Sequence, residues 1–250
     1  FSKIQLVITL IYGCIGLGTG AFILAMALPF DPFSNESDKE YAQGIDIMIA
    51  MDISGSMMAT DFMPNRLEAA KEVAKEFITD REQDRIGFVV FEGEAYTACP
   101  STRNHDYLIS AIDNIESGRL EPGTAIGTGL GTAVARMRKD SVQSKVVILL
   151  TDGESNKCDV KPSEAAELAS KQGIKVYTIG VGKEGMASMP VNTPFWIITR
   201  KTKVNIDEKL LKEIALDTGG EYFRATDKNS LSAIYKRIDK MEKKKIVDNW

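Results

Sequence analysis

From residue 44 onward, short apolar runs alternate with amphipathic stretches, and this alternation strongly limits the folds open to the chain. The runs 45–51, 86–91, 146–150 and 174–181 have the length and composition of buried strands. The unbroken run 146–150 is typical of a central strand covered on both faces. Strands that alternate with helices predict a doubly wound α/β domain with a mostly parallel sheet, and residues 95–98 predict one antiparallel edge strand.

The amphipathic stretches predict helices with recognisable ends. Asn65 can cap a helix whose capping box is completed by Glu68. Gly173 and Gly219 follow later helices, at a position where glycine favours termination. Further helices are predicted at 106–115, 126–138, 163–171, around 210–215, and at 231–241.

Polar side chains follow the strands of this predicted sheet. Asp52, Ser54 and Ser56 come directly after the first strand, and Asp152 follows the central strand. Thr124 precedes the start of a helix that lies between them in the sequence. Sites in doubly wound folds form at the carboxyl ends of strands, near the switch in strand order. We therefore expect these five side chains to converge from three loops.

Two carboxylates and three hydroxyls form a donor set that suits a hard cation. Mg²⁺ prefers an octahedron of oxygens and retains several waters, and Mn²⁺ and Ca²⁺ are the alternative ions. An ion held in this way keeps water at its remaining positions, stays electrophilic and can accept an anionic oxygen from outside. An Asp or Glu carboxylate of a partner protein is the natural donor of that oxygen.

The pattern Asp52-x-Ser54-x-Ser56, with Thr124 and Asp152 downstream, resembles the metal-ion-dependent adhesion site (MIDAS) of von Willebrand factor A (vWA) domains. All five positions match that pattern. The resemblance implies that the three hydroxyls ligate the ion and that the two carboxylates bind it directly or through water. It also implies a vWA, Rossmann-like fold and metal-dependent protein binding.

A narrower resemblance, over roughly residues 44–244, is to the bacterial aerotolerance-related Bat proteins, which are membrane-anchored vWA proteins. It depends on the sequences at 65–71, 84–87, 123–127 and 218–225. The resemblance implies an interaction protein of the bacterial inner membrane. The partners it implies are other Bat-type membrane proteins and a MoxR-type AAA ATPase system.

An uncharged apolar segment precedes the domain. Residues 4–28 would span about 37 Å as a helix, at ~1.5 Å per residue, which is enough to cross a bilayer. The pattern Ala25-Met26-Ala27 keeps a cleaved signal peptide open as an alternative. Lys3, before the segment, weakly favours a periplasmic location for the domain. The predicted organisation is a transmembrane helix at 1–28, a linker at 29–43 and a vWA domain at 44–245.

Charge and the scarcity of histidine exclude several function classes. A net charge of −4 and a pI near 5.3 argue against nucleic-acid binding. His105 is the only histidine, so neither a His-based metal cluster nor a Ser-His-Asp hydrolase is expected. A phosphatase of the haloacid dehalogenase type would need a second acid where Ser54 stands. We predict a chain that is not an enzyme; a scaffold domain with a purely structural metal and a Mg²⁺-dependent hydrolase are the alternatives.

Three further features permit two interpretations each. The apolar stretch 194–198 lies in an insertion that is either a hairpin packed on the domain or an exposed contact for a partner or a membrane surface. Glu92 and Glu94 follow the second strand and are either solvated or in the outer shell of the site. Cys99 and Cys158 could pair, but their spacing does not show it.

Overall fold

The structure of the chain is a computed structural model, in which residues 1–40 and 41–250 form two separate units. In the first unit, residues 15–19 are helical and exposed, whereas most of the predicted transmembrane helix (1–28) and all of the predicted linker (29–43) lie outside the described residues. No helix in the described part of the chain is long and apolar enough to cross a membrane. The structure describes residues 5, 8, 12, 15–19, 44–81, 83–137, 144–153, 155–157, 159–183, 185–192, 197–204 and 206–248.

The second unit is built on a six-stranded sheet, with a separate two-stranded pair beside it. The strands are β1 (Asp46–Asp52), β2 (Arg85–Phe91), β3 (Ala95–Thr102), β4 (Lys145–Thr151), β5 (Lys175–Val181), β6 (Gly185–Asn192), β7 (Ile197–Val204) and β8 (Tyr222–Ala225). The order in the large sheet is β3-β2-β1-β4-β5-β8. Only β3 runs antiparallel within it. This confirms the prediction of a mostly parallel sheet with one antiparallel edge strand.

Six helices follow the strands in the described part of this unit. They are α1 (Arg66–Thr79), α2 (His105–Asp113), α3 (Ile126–Arg136), α4 (Pro162–Lys171), α5 (Glu208–Asp217) and α6 (Lys228–Asp248), and a short 3-10 turn occupies Gly55–Met58. Five of them lie within a few residues of their predicted ends, whereas α6 is longer than the predicted 231–241. A buried glutamate, Glu242, anchors the additional turns. Apolar periodicity therefore could not show where this helix ends.

The start of α1 follows from its cap. The side chain of Asn65 accepts a hydrogen bond from the backbone N–H of Glu68 at 2.8 Å, as predicted. The Glu68 carboxylate instead pairs with Lys71 Nζ at 3.1 Å. This cap ends the loop after β1 and directs the first turn of α1 back toward the carboxyl edge of the sheet.

Apolar layers cover both faces of the sheet. Along β1, Ile47, Ile49 and Met51 belong to the cluster that includes side chains of α1 and α6. Met48 and Ala50 belong to the opposite cluster, which includes side chains of α3 and α4. From β1, the strands β2 and β3 extend the sheet on one side, and β4, β5 and β8 extend it on the other. The strand order therefore switches between β1 and β4. That switch opens a crevice at the carboxyl ends of these two strands.

The insertion after β5 forms the antiparallel hairpin β6–β7. It packs on the domain through Thr60, whose backbone N–H donates to the carbonyl of Ser188 at 3.0 Å. The hairpin interpretation of this insertion is therefore confirmed for the two described strands. Residues 193–196, which include most of the apolar stretch, lie outside the described residues.

Candidate metal centre

The loop that follows β1 holds the carboxylate of Asp52 in one orientation. Its Oδ1 accepts a hydrogen bond from the backbone N–H of Ser54 at 2.8 Å. Its Oδ2 accepts one from the hydroxyl of Thr151, at the end of β4, at 2.6 Å. Asp52 is completely buried. The two strand ends at the switch point are thus joined by this carboxylate.

Two serine hydroxyls connect the β1 loop to the β4 loop. The Oγ atoms of Ser54 and Ser56 are 3.0 Å apart. The hydroxyl of Ser56 donates to Oδ1 of Asp152 at 2.6 Å. Four of the five predicted side chains, those of Asp52, Ser54, Ser56 and Asp152, therefore lie in one hydrogen-bonded cluster.

Thr124, the fifth predicted residue, lies beside this cluster and is buried. Its hydroxyl oxygen would be 3.7 Å from a Cβ built on Gly153, the residue after Asp152. The Thr124 N–H donates to Oδ1 of Asn156 at 2.8 Å, and the next N–H, of Ala125, donates to the carbonyl of Glu92 at 2.6 Å. The loops after β2 and β4 thus position Thr124 from two sides.

The electrostatics of the cluster disfavour two ionised carboxylates. Burial, and then the charge on Asp152, raise the pKa of Asp52 to about 7. Burial also raises the pKa of Asp152, although the neighbouring Arg66 acts in the opposite direction. A carboxylate removed from water favours a compensating cation nearby.

Arg66 is a residue of this centre that the sequence analysis missed. It is 1% exposed, and its Nη1 donates to Oδ2 of Asp152 at 2.6 Å. Its Nε and Nη2 donate to the two oxygens of Asp61, both at 2.7 Å. The sequence contained a signal, since an arginine in the first turn of a helix just after the site loop can reach back toward that loop.

Glu92 has a structural role near the site. It is buried, and its carboxylate accepts hydrogen bonds from the N–H groups of Gly118 and Leu120, both at 3.1 Å. It therefore shapes the segment that leads to Thr124, and the solvated interpretation is wrong for Glu92. Glu94 is exposed, so the solvated interpretation holds for that residue.

His105 lies far from the hydroxyls of the centre. Its Nε2 is 3.2 Å from the carbonyl of Asp84, which precedes β2 at the amino edge of the sheet. Ser54 and Ser56 lie at the carboxyl edge. The only histidine in the chain thus cannot act as a base for either serine.

The donor set of the centre fits a hard cation better than a soft one. Its side chains supply only carboxylate and hydroxyl oxygens, which are the ligands that Mg²⁺ prefers. Nowhere in the described ranges do three or more His, Cys, Asp or Glu side chains cluster as a metal site. The described cysteine, Cys99, is buried and free, and Cys158 lies outside the described residues, so their pairing stays a prediction.

One relative of the chain is a bacterial protein. An uncharacterized protein of Borreliella burgdorferi is 30% identical over 228 residues, which cover 89% of this chain and 66% of that protein. The chain therefore spans just under two thirds of the length of this relative.

Solved structures with the same fold include two bacterial proteins. The conserved hypothetical protein BatB from Bacteroides thetaiotaomicron has a TM-score of 0.71 and 33% identity, covering 80% of this chain and 100% of that one. An aerotolerance-related membrane protein from Bacteroides fragilis has a TM-score of 0.68 and 30% identity, covering 78% of this chain and 98% of that one. Proximal thread matrix protein 1 from the mussel byssus, solved with a zinc-occupied MIDAS motif, shares the fold at 24% identity and a TM-score of 0.62, covering 81% and 46%.

The family model of the von Willebrand factor type A domain matches residues 46–237. This range runs from the first residue of β1 into α6 and includes every side chain of the candidate centre. The chain therefore belongs to the von Willebrand factor type A domain family and resembles the bacterial Bat proteins within it.

Proposed function

We propose that the chain binds a divalent cation, preferentially Mg²⁺, and uses it to hold a carboxylate of a partner protein. The observation that carries this proposal is the single hydrogen-bonded cluster formed by Asp52, Ser54, Ser56 and Asp152, with Thr124 beside it. The zinc ion in the MIDAS of the mussel protein supports a divalent metal in a site of this kind. Mn²⁺ and Ca²⁺ have the same preference for oxygen and are the alternative ions.

Each residue has a separate part in holding the ion. Ser54, Ser56 and Thr124 would supply neutral oxygens, and the two aspartates would supply negative charge. Asp52 is oriented before any metal arrives, because Ser54 N–H and the Thr151 hydroxyl hold both of its oxygens. A bound ion would supply a Lewis-acidic position that accepts an anionic oxygen.

The proposed activity is binding rather than catalysis. A serine nucleophile needs an adjacent base, and His105 lies at the opposite edge of the sheet. A Mg²⁺-dependent hydrolase therefore has less support than a binding domain. The scaffold alternative, in which the metal is only structural, is separated from metal-dependent binding by experiment.

The setting we propose is the bacterial inner membrane, with the domain on the periplasmic side. The apolar segment 4–28 and the likeness to an aerotolerance-related membrane protein support membrane association. The proposed partners are other Bat-type membrane proteins and a MoxR-type AAA ATPase system.

The direct test is calorimetric titration of Mg²⁺ and Mn²⁺ into the metal-stripped full chain. We expect a single site that Asp52→Ala and Thr124→Ala each weaken by about tenfold or more, since each removes a ligand. Ser110→Ala, which removes an exposed hydroxyl from α2, is the matched control. Circular dichroism establishes that each variant is folded. A folded wild-type chain that binds neither ion would refute the proposal.

A further inference from the structure

The β6–β7 hairpin is basic in an acidic chain. Residues 185–204 include Arg200, Lys201 and Lys203 and no acidic residue, whereas the whole chain has a net charge of −4. Lys201 is exposed, and so is Lys183, which lies just after β5 where the chain leaves the large sheet. A concentration of positive charge in one insertion indicates attraction to an acidic partner.

This basic hairpin lies next to the candidate metal centre. Ser188 accepts a hydrogen bond from Thr60, which is only four residues beyond Ser56. In the hairpin register, Ser188 pairs with Lys201. Because paired strands are about 5 Å apart, the backbone of Lys201 lies within roughly 10 Å of Thr60.

One backbone hydrogen bond and two ion pairs connect the entry of the hairpin to the centre. The N–H of Lys183 donates to Oδ2 of Asp61 at 3.1 Å. Asp61 is paired with Arg66, which is paired in turn with Asp152. Gly182 permits this approach, because a Cβ there would lie 2.8 Å from Arg66 Nη2. The entry to the hairpin is thus tied directly to a proposed metal ligand.

The opposite rim of the centre has a different charge environment. Lys157, on the loop after β4, pairs with Glu121 at 2.6 Å, and Glu94 and Asp159 also lie close enough to raise its pKa. The positive charge of Lys157 is therefore already compensated. An acidic segment bound at the metal is therefore attracted toward the hairpin rather than toward the β4 loop.

We propose that the metal centre and the β6–β7 hairpin together form a docking surface for an acidic segment of a partner protein. One carboxylate of the segment ligates the ion, and neighbouring carboxylates lie against Lys183 and Lys201. This inference rests on the proposed function, because it requires carboxylate capture at the metal. It adds a chemical class of partner, a protein segment with several adjacent acidic residues.

The test compares two labelled peptides of equal length on the full chain with Mg²⁺. One peptide is oligo-glutamate, and the other has a single glutamate among serines. We expect oligo-glutamate to bind more tightly, and Lys183→Glu combined with Lys201→Glu to weaken it about tenfold while barely affecting the other peptide. The matched control, Lys171→Glu with Lys240→Glu, reverses the charge of two exposed lysines that lie toward the amino edge of the sheet. It should keep the preference for oligo-glutamate.

The outcomes separate this inference from the proposed function. If both peptides bind equally in a Mg²⁺-dependent way, or if both double variants weaken oligo-glutamate alike, the docking surface is wrong and carboxylate capture stands. If neither peptide binds although calorimetry shows bound Mg²⁺, both carboxylate capture and the docking surface are wrong. Loss of the oligo-glutamate preference only in the hairpin variant supports the inference.

Discussion

Arg66 Nη1 lies 2.6 Å from Oδ2 of Asp152, and both side chains are almost completely buried. A proposed metal ligand therefore already has a cation as its partner. The guanidinium compensates one oxygen of Asp152, while the other oxygen accepts from Ser56. This arrangement stabilises the centre without a metal and leaves the charge of Asp52 to be compensated by the ion.

Removing the charge of Arg66 should destabilise the metal-free protein. For Arg66→Gln we expect a loss of about 3 kcal/mol or more in the free energy of unfolding, because the buried Asp152 and the part-buried Asp61 lose their partner. Urea denaturation in a chelator measures this loss, and added Mg²⁺ should restore a larger share of stability than in the wild type. Arg119→Gln, which breaks an exposed pair with Glu116, should have almost no effect. Similar losses in the two variants would contradict this account of Arg66.

Replacing Asp52 should have opposite effects with and without metal. Because burial and Asp152 raise its pKa to about 7, ionised Asp52 opposes folding near neutral pH. Asp52→Asn should therefore leave the chelator-treated protein as stable as the wild type or more stable. It should also abolish stabilisation by Mg²⁺, which is worth about 2.7 kcal/mol at a concentration 100 times the Kd. Thermal unfolding in chelator and in Mg²⁺ measures both effects, and equal Mg²⁺ stabilisation of both proteins would exclude Asp52 as a ligand.

The variant Asp52→Asn also separates metal-dependent binding from the scaffold alternative. If the ion is only structural, a stabilised metal-free protein keeps its partner. If the ion holds a partner carboxylate, partner binding is lost with the ion even when the fold is intact. Asp52→Asn provides such a folded, metal-free protein. Binding of the oligo-glutamate peptide to wild type and Asp52→Asn in Mg²⁺ distinguishes the two cases.

Gly182 should tolerate no side chain, because of the guanidinium that lies against it. Its φ is +135°, and a Cβ would meet Arg66 Nη2 at 2.8 Å. We expect Gly182→Ala to cost about 1–3 kcal/mol through backbone strain, with a further cost from displacing Arg66, and to weaken Mg²⁺ binding. Gly173→Ala is the control, since its φ is +67° and nothing lies within 4 Å of its Cβ position. Gly173→Ala should lose stability but bind Mg²⁺ as the wild type does. Weaker Mg²⁺ binding in both variants would argue against a specific effect of Gly182 on the metal centre through Arg66.

Glu242 should make the free energy of unfolding depend on pH. Burial alone would raise its pKa, but hydrogen bonds from Ser144 at 2.6 Å and Tyr177 at 2.5 Å, together with Lys175, lower it below the ordinary value of 4.5. A lowered pKa stabilises the fold above pH 4.5, and this contribution is lost as the pH falls through the folded-state pKa.

Glu242→Gln tests this dependence. We expect a loss of about 1–3 kcal/mol at pH 7, because buried partners lose a charged acceptor, and a flatter stability curve below pH 4.5. Denaturant unfolding of both proteins between neutral and acidic pH gives the curves. Glu213→Gln, at an exposed position on α5, should follow the wild-type curve. Parallel curves for wild type and Glu242→Gln would show that Glu242 does not contribute to the pH dependence.

The sequence by itself determined the doubly wound architecture and the loops that carry the five oxygen donors. Both follow from local patterns: runs of buried strand residues, a helix cap at Asn65, and polar residues that follow a strand or precede a helix. A parallel sheet necessarily gathers the carboxyl ends of its strands at one edge. The convergence of Asp52 and Asp152 was therefore predictable without knowing any distance between them.

Only the tertiary structure decided which partners the donors have. Arg66 reaches Asp152 across 86 positions in the chain, and Glu242 reaches Tyr177 across 65. Such contacts depend on how a helix is packed against the sheet and in which direction a long side chain leaves it. Sequence periodicity fixes the buried face of a helix but not these directions. The position of the basic hairpin beside the metal centre has the same origin, because contacts such as those from Thr60 to Ser188 and from Lys183 to Asp61 bring together segments that no local pattern relates.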